Sequence, residues 1–188
     1  MDILKSIELY DKIIEMKPDY YLAWNNKASL YSDTTWPGYN LDEAIRLFDK
    51  AAEINPKYGM PHYGKALIYQ MPSFHGYDIE EAIKHLYAAT NADPKYYNAW
   101  FALGRHLGDS NYPNQNIQES IKAYDQAIKS KPNAHIAYYN KGLLIMDKNT
   151  PERSLELALD SMNSCLKYSP NFCKAYFTKA KILAEQQD

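Results

Sequence analysis

The segment EMKPDYY at residues 15–21 returns in related form four more times along the chain. The related segments are EINPKYG at 53–59, NADPKYY at 91–97, KSKPNAH at 129–135 and KYSPNFC at 167–173. Their prolines, from Pro18 to Pro170, lie 38 residues apart. A fixed period of this order is the signature of a repeat protein. We therefore expect the 188 residues to form one repeat array, 1–188.

Small residues recur at fixed places on this period. One column, on the helix after each proline, is Ala28, Ala66, Gly104, Gly142 and Ala180. A second column, before each proline, is Ser6, Ala44, Ala82, Ser120 and Ala158. A column of bulkier residues accompanies them, namely Trp24, His62, Trp100, Tyr138 and Tyr176. Helices that cross at close range need small side chains where their backbones meet, so the columns predict tightly paired helices.

One unit reads W-x-x-K-A-x-x-Y from Trp24 to Tyr31, then A-x-x-x-F-x-x-A from Ala44 to Ala51, and then Pro56. In this form it resembles the tetratricopeptide repeat, and the resemblance covers essentially the whole chain. It implies an all-α fold, a right-handed superhelical solenoid of antiparallel helix pairs with about ten helices. Second helices are expected near 2–17, 40–55, 78–93, 116–131 and 154–169. First helices are expected near 20–33, 58–71, 96–108, 134–147 and 172–186.

Lysine departs from this pattern where the family usually has leucine, at Lys27, Lys65, Lys141 and Lys179. We expect each lysine stem to lie along its helix with the ammonium group in water. His62 replaces the usual aromatic residue, which predicts looser packing of the second helix pair.

The period exceeds the roughly 34 residues of the family, and the extra length is assigned to the loop inside each pair. The second helices are predicted to begin after N-cap residues at Asp2, Asn40, Asp78, Asn116 and Ser154. Glu43, Glu81 and Glu119 follow three of these caps and predict capping boxes. The loop aromatics Trp36, Phe74 and Tyr112 recur in phase. We expect them to pack on helix ends, and an exposed aromatic ridge is the alternative.

Composition and motifs exclude several classes of function. Hydrophobic residues make up 46% of a chain of net charge −2, which favours a folded core and disfavours nucleic acid or membrane partners. The two cysteines fit a cytoplasmic compartment, with Cys165 expected to be a buried thiol. The five histidines form no metal motif, and no phosphate-binding loop is present. The sequence therefore predicts no catalytic residues, no cofactor, no metal site and no enzymatic activity.

The family resemblance implies a binding groove on the concave face, lined by the first helices. The predicted groove residues are Asn25, Ser29, Tyr63, Leu67, Phe101, Arg105, Tyr139, Leu143, Phe177 and Lys181. Aromatic residues in such a row offer large contact surfaces, although the rings could instead pack between neighbouring first helices. The Lys, Asn and Arg set with which some members grip carboxylates is lacking, so an apolar or amphipathic segment of a partner protein is the expected ligand.

The predicted function is that of a protein-interaction scaffold or adaptor. The sequence leaves two alternatives open. One is a non-catalytic subunit or docking region of an enzyme complex, because the hairpins also resemble those of the prenyltransferase alpha subunit. The other is a self-assembling fragment, in which the apolar face of the first helix, at Ile3, Ile7, Tyr10 and Ile14, contacts a partner.

Overall fold

The computed structural model describes residues 3–151 and 153–187, and within them the chain forms ten α-helices and no β-strand. Each helix lies within the range that the sequence predicts for it. The helices are α1 (Ile3–Met16), α2 (Tyr21–Tyr31), α3 (Leu41–Ile54), α4 (Met60–Tyr69), α5 (Ile79–Ala92), α6 (Tyr97–Leu107), α7 (Ile117–Ser130), α8 (His135–Met146), α9 (Leu155–Tyr168) and α10 (Cys173–Glu185).

The chain divides into two compact units, one ending at Tyr96 and the other beginning at Tyr97. Unit 1 contains α1 to α5, and unit 2 contains α6 to α10. In unit 1 the closest pairs are α2 with α3 and α4 with α5. In unit 2 the closest pairs are α6 with α7 and α8 with α9. The single array over 1–188 stays a prediction.

Most residues of the small-residue columns are buried where the paired helices of each unit pack together. Ala28 and Ala44 are fully buried in unit 1, in one cluster with Leu47 and Phe48. In unit 2, a Cβ added at Gly104 would lie 3.1 Å from the ring of Tyr124, so that position admits only a very small residue. Ala180 belongs to the same column but is exposed. The column therefore packs against the second helix that follows it, and none follows α10 among the described residues.

The predicted N-caps are present at the four second helices whose caps the structure describes, whereas Asp2 lies outside the described residues. Asn40 Oδ1 accepts a hydrogen bond from the Glu43 amide at 3.0 Å. Asp78, Asn116 and Ser154 accept equivalent bonds. These contacts satisfy amide groups that the first turn of a helix leaves without intrahelical partners.

The prediction of reciprocal capping boxes was wrong. The Asn40 amide donates to the carbonyl of Tyr31 at 2.9 Å, at the end of the preceding helix. The Glu43 carboxylate instead accepts from Arg46. Asp78 and Asn116 make the same backbone bond to the end of the preceding helix, at 2.9 Å each. The cap amide already has a backbone partner because this bond closes the enlarged loop.

The loop aromatics pack against the ends of their own helix pairs. The ring of Phe74 is 6% exposed and meets Tyr69 edge to face at 5.7 Å between ring centroids. Trp36 is partly buried and lies 5.9 Å from the ring of Tyr31. Tyr112 is also partly buried. The packing expectation is therefore met for Trp36 and Phe74, and none of the three rings is largely exposed.

The first helix does not have the open apolar face that the sequence suggested. α1 packs against α2, and Ile7 is 8% exposed. Ile3, Tyr10 and Ile14 are partly buried. The packed neighbour removes most of this face from solvent, and self-association through it stays a prediction.

Candidate functional site

The ten predicted groove residues lie in pairs on the five first helices, four residues apart in each pair. Asn25 and Ser29 are on α2, and Tyr63 and Leu67 are on α4. The other pairs are Phe101 with Arg105 on α6, Tyr139 with Leu143 on α8, and Phe177 with Lys181 on α10. Residues four apart lie on one face of a helix, so each helix presents one pair on one side.

Asn25 is the predicted groove residue that presents almost no surface. Its side chain is 1% exposed, and its Nδ2 lies 3.6 Å from the sulfur of Met60. The amide is held between α2 and α4 and cannot line an open surface as the sequence suggested. At the other extreme, Phe177 is 65% exposed, with Lys181 Nζ lying 4.6 Å from its ring centroid.

The three middle aromatics both pack and retain exposed surface. Tyr63 meets Tyr96 edge to face at 5.4 Å between ring centroids. Phe101 stacks on Tyr97, and Tyr139 meets Phe172 edge to face. All three predicted residues are partly buried. Each of these rings therefore makes a packing contact and keeps some exposed surface, and its place in a binding groove stays a prediction.

Unit 1 contains an apolar pocket of about 370 Å³. Its lining includes three predicted groove residues, Ser29, Tyr63 and Leu67. Phe48, Ile68, Tyr96 and the methionines Met60 and Met71 complete most of the wall. Gly64 allows the Phe48 ring to lie close to the α4 backbone, because a Cβ at that position would overlap the ring. The sequence did not single out Met60 or Met71.

Unit 2 contains a smaller pocket, of about 260 Å³, whose lining residues lie two repeats further along the chain than their unit 1 counterparts. Arg105, Leu143 and Tyr124 take the places of Ser29, Leu67 and Phe48. Asn140 stands where unit 1 has Gly64, and its Nδ2 donates to the Tyr124 hydroxyl at 3.4 Å.

This second pocket has more polar and charged side chains in its lining than the unit 1 pocket has. Burial raises the pKa of Tyr124 to about 12, so its hydroxyl stays protonated at neutral pH. The Arg105 guanidinium and the Asp109 carboxylate add charge to the lining. The two units therefore offer equivalent pockets that differ in size and polarity.

The lysines at the repeat position of Lys27 do not simply extend their ammonium groups into water, because each has a polar partner on the preceding second helix. Lys65 Nζ lies 2.5 Å from Asp49 Oδ1, and Lys141 Nζ lies 2.5 Å from Asp125 Oδ1. Lys27 pairs with Asp11 in the same way. Lys179 Nζ donates to Asn163 at 2.8 Å. The expectation of solvated lysines was incomplete, because the partner on the preceding second helix was not recognised.

A signal for this pairing was present in the sequence. An aspartate stands sixteen residues before Lys27, Lys65 and Lys141. In the repeat that has Leu103 in place of lysine, the partner position is Tyr87. Each lysine at this repeat position thus has an oxygen-bearing side chain sixteen residues before it, Asp in three repeats and Asn163 in the fourth, which indicates a structural pair and not a binding site.

Two histidines form a stack in unit 1. His62 and His85 lie 6.3 Å apart between ring centroids, and Tyr69 stacks on His85 at 5.3 Å. Burial, helped by the nearby Lys65 ammonium, lowers the pKa of His85 to about 4. The pKa of His62 is also lowered, chiefly by burial. Both imidazoles are neutral at physiological pH and serve as packed rings.

The cysteines are both free, with Cys165 buried and Cys173 exposed. Burial raises the pKa of the Cys165 thiol, which disfavours the reactive thiolate. In the part of the chain that the structure describes, no three His, Cys, Asp or Glu side chains meet in a way that could hold a metal ion. None of the described helices combines the length and apolarity needed to cross a membrane.

Comparison with known proteins supports the repeat fold. The crystal structure of MamA matches with a TM-score of 0.64 and 21% identity, over 92% of this chain and 92% of that one. The crystal structure of a Sel1 repeat protein from Oxalobacter formigenes matches with a TM-score of 0.73 and 18% identity, over 96% of this chain and 75% of that one. At these identities the likeness concerns the fold alone.

No curated protein sequence matches this chain. The family model for the tetratricopeptide repeat matches residues 107–162, a segment that runs from the end of α6 to within α9. With the ten helices of the described residues and the structural neighbours, this match shows that the chain is an all-α helical repeat protein whose residues 107–162 match the tetratricopeptide repeat family.

Proposed function

We propose that the chain is a protein-interaction scaffold whose first helices bind an apolar or amphipathic segment of a partner protein. The observation that carries the proposal is the unit 1 pocket. It is lined by predicted groove residues, has a volume of about 370 Å³ and has a largely apolar wall. Pockets of this size and character are typical of binding sites for side chains and small ligands.

The composition of the wall supports a protein segment as the ligand. Met60 and Met71 are flexible, polarisable side chains that can adapt to differently shaped apolar groups. Tyr63 and Tyr96 add aromatic surface with hydroxyl groups at the edge. An apolar anchor residue of a partner would be removed from water here while its backbone meets polar groups at the rim.

The unit 2 pocket supports a mixed, amphipathic ligand. Arg105 is exposed at its edge and is suited to a carboxylate of the partner. Leu143 gives the same pocket an exposed apolar side chain. A ligand of this unit is therefore expected to combine an apolar side chain with an acidic one.

Selection of peptides from a random library on the immobilised full chain would test the proposal. The tightest peptide would be labelled and titrated by fluorescence anisotropy against Leu67→Ala and the double variant Phe101→Ala, Tyr139→Ala. Loss of an aromatic or aliphatic anchor costs about 2 kcal/mol at an interface hot spot, or roughly thirtyfold in affinity. We expect at least one of these variants to show such a loss.

The matched control is Tyr77→Ala, which removes an aromatic ring that is exposed and lies outside both pockets. It should bind as the unchanged protein does. Melting curves of all variants separate lost binding from lost folding. Equal affinity of the control, Leu67→Ala and the double variant would show that the predicted groove residues do not form the binding surface.

A further inference from the structure

Unit 2 has a second cleft, on a face of α8 different from that of the predicted groove residues Tyr139 and Leu143. It lies between α7, α8 and α9 and has a volume of about 390 Å³. Its apolar lining comes from the side chains of Ile121, Ile145 and Leu157 and from the ring of Tyr138. The proposed function does not use this cleft.

The equivalent place in unit 1, between α3, α4 and α5, is filled with rings. Two repeats earlier in the chain, Tyr69 occupies the repeat position of Ile145, and His85 occupies that of Ser161. Tyr69 and His85 stack at 5.3 Å between ring centroids with nearly parallel planes, 23° apart. Unit 2 has an aliphatic residue and a serine in their places, so the volume of a planar ring is left open there.

The charge in the cleft is also reversed between the units. Asp160 lines the unit 2 cleft, is exposed and has no basic partner among the described residues. At the equivalent position, unit 1 has Lys84, which pairs with Glu81 at 2.7 Å. The one lysine of the unit 2 cleft, Lys141, is neutralised by Asp125 at 2.5 Å. The unit 2 cleft therefore retains one unpaired carboxylate beside apolar walls.

From this arrangement we infer that the cleft between α7, α8 and α9 binds an arginine side chain of a partner protein. A guanidinium group is planar and occupies a slot of the kind that the His85 ring fills in unit 1. It forms charge-assisted hydrogen bonds with a carboxylate, which Asp160 supplies. The methylene stem of arginine packs on apolar surface, here that of Ile121, Ile145 and Leu157.

Arginine is favoured over other occupants by the combination of shape and charge. A purely apolar side chain would fill the cleft without using the Asp160 carboxylate. A lysine would satisfy the charge but carries a strongly hydrated, compact ammonium group instead of a flat one. The hydroxyl of Ser161 donates to the Leu157 carbonyl at 2.9 Å, so its oxygen remains an acceptor for a further N–H donor.

The experiment is an NMR titration of the isotopically labelled full chain with N-acetyl-arginine methylamide. The matched probe is the citrulline analogue, which has the same shape and hydrogen-bonding plane but no charge. We expect arginine to produce saturable shifts in the amides of α9 from Leu157 to Ser164. The citrulline probe should bind about tenfold more weakly, the loss expected for one charge-assisted interaction.

Three variants test whether the arginine probe binds in this cleft. Asp160→Asn should weaken the arginine probe about tenfold, and it should leave the weak citrulline affinity unchanged. Ser161→His introduces the ring that unit 1 carries and should abolish the shifts by filling the cleft. Glu156→Gln removes an exposed carboxylate from the same helix outside the cleft and should bind as the unchanged protein does.

Folding is checked by melting curves, and Asp160→Asn decides the question if Ser161→His does not fold. Equal binding of arginine and citrulline, or equal effects of Asp160→Asn and Glu156→Gln, would overturn the inference. Equal binding of the corresponding lysine probe would overturn the preference for a planar cation. The peptide titrations with Leu67→Ala are independent of these results, because Leu67 lies in unit 1.

Discussion

The ammonium of Lys65 lies 2.5 Å from the Asp49 carboxylate, which precedes it by sixteen residues in the chain. The two ends of this pair differ in exposure, since the lysine side chain is 9% exposed and the aspartate side chain 57%. Removing the aspartate would leave a buried ammonium without its partner. Removing the lysine would leave a carboxylate that water already reaches.

The asymmetry predicts unequal effects of two substitutions. Asp49→Ala should lower the free energy of unfolding by about 1 to 3 kcal/mol, the cost of an unsatisfied buried polar group. Lys65→Met keeps the apolar stem and removes the charge, so it should be close to neutral. Urea unfolding followed by circular dichroism measures both. A larger loss for Lys65→Met than for Asp49→Ala would contradict this account.

A second prediction uses two members of the same small-residue column. Ala28 is fully buried between α2 and α3, whereas Ala180 on α10 is exposed. Ala28→Leu should therefore destabilise the protein by about 1 to 3 kcal/mol through overpacking. Ala180→Leu is the matched control and should change stability by no more than about 0.5 kcal/mol.

Melting temperatures of the two leucine variants provide the measurement. The same residue types are exchanged at the same repeat position, so helix propensity cancels in the comparison. Similar melting temperatures for the two variants would mean that the column does not mark a close helix contact.

A third prediction concerns the loss of folding stability at acidic pH. The pKa of His85 is lowered to about 4 in the folded chain, against the usual value of 6.5. Because the unfolded chain binds the proton first, the contribution of this site to stability is complete above pH 6.5. It decreases as the pH falls from 6.5 to about 4. His62, with a pKa lowered chiefly by burial, acts in the same direction.

Urea midpoints at pH 7 and pH 5 measure this effect. His85→Gln removes the titrating group and should reduce the loss of stability between the two pH values. The charged neighbours Lys65, Asp49 and Glu81 stay in place in this variant. If the variant and the unchanged protein lose equal stability on acidification, His85 is not the group responsible.

The repeat architecture and the helix caps could be predicted because both are local signals that recur in phase. The proline spacing and the small-residue columns predicted the approximate range of each described helix. The side chains of Asn40 and Asp78 are of a type that caps a helix, and this predicted where α3 and α5 begin. Tetratricopeptide resemblance added the expectation of a groove on the first helices.

The features that could not be predicted from the sequence depend on contacts between different helices. The partner of Lys65 lies on another helix, and neither member of the pair is unusual by itself. Burial of Asn25 follows from how Met60 approaches it, which the spacing on α2 does not report. The two pockets differ because Gly64 and Asn140 stand at one repeat position over Phe48 and Tyr124. Such differences can be recognised only when it is known which two repeat positions contact each other across neighbouring helices.

The last prediction concerns the enlarged loops. Phe74 is almost fully buried in the cluster that contains Leu47 and Phe48, and it packs edge to face on Tyr69. Tyr112 occupies the same place in its own loop but is only partly buried. The backbone of each loop is closed in the same way, by an amide that bonds to the end of the preceding helix. The two loops therefore differ mainly in how far the aromatic ring enters the core.

Phe74→Ala should lower the free energy of unfolding by about 3 kcal/mol or more, since it combines lost burial with a cavity next to Tyr69. Tyr112→Ala removes a less buried ring and should cost clearly less. Urea unfolding of both variants measures the difference, and limited proteolysis between residues 69 and 78 reports whether the loop itself opens. A small effect of Phe74→Ala, with an unchanged cleavage rate, would mean that the helix pair holds its loop without the aromatic anchor.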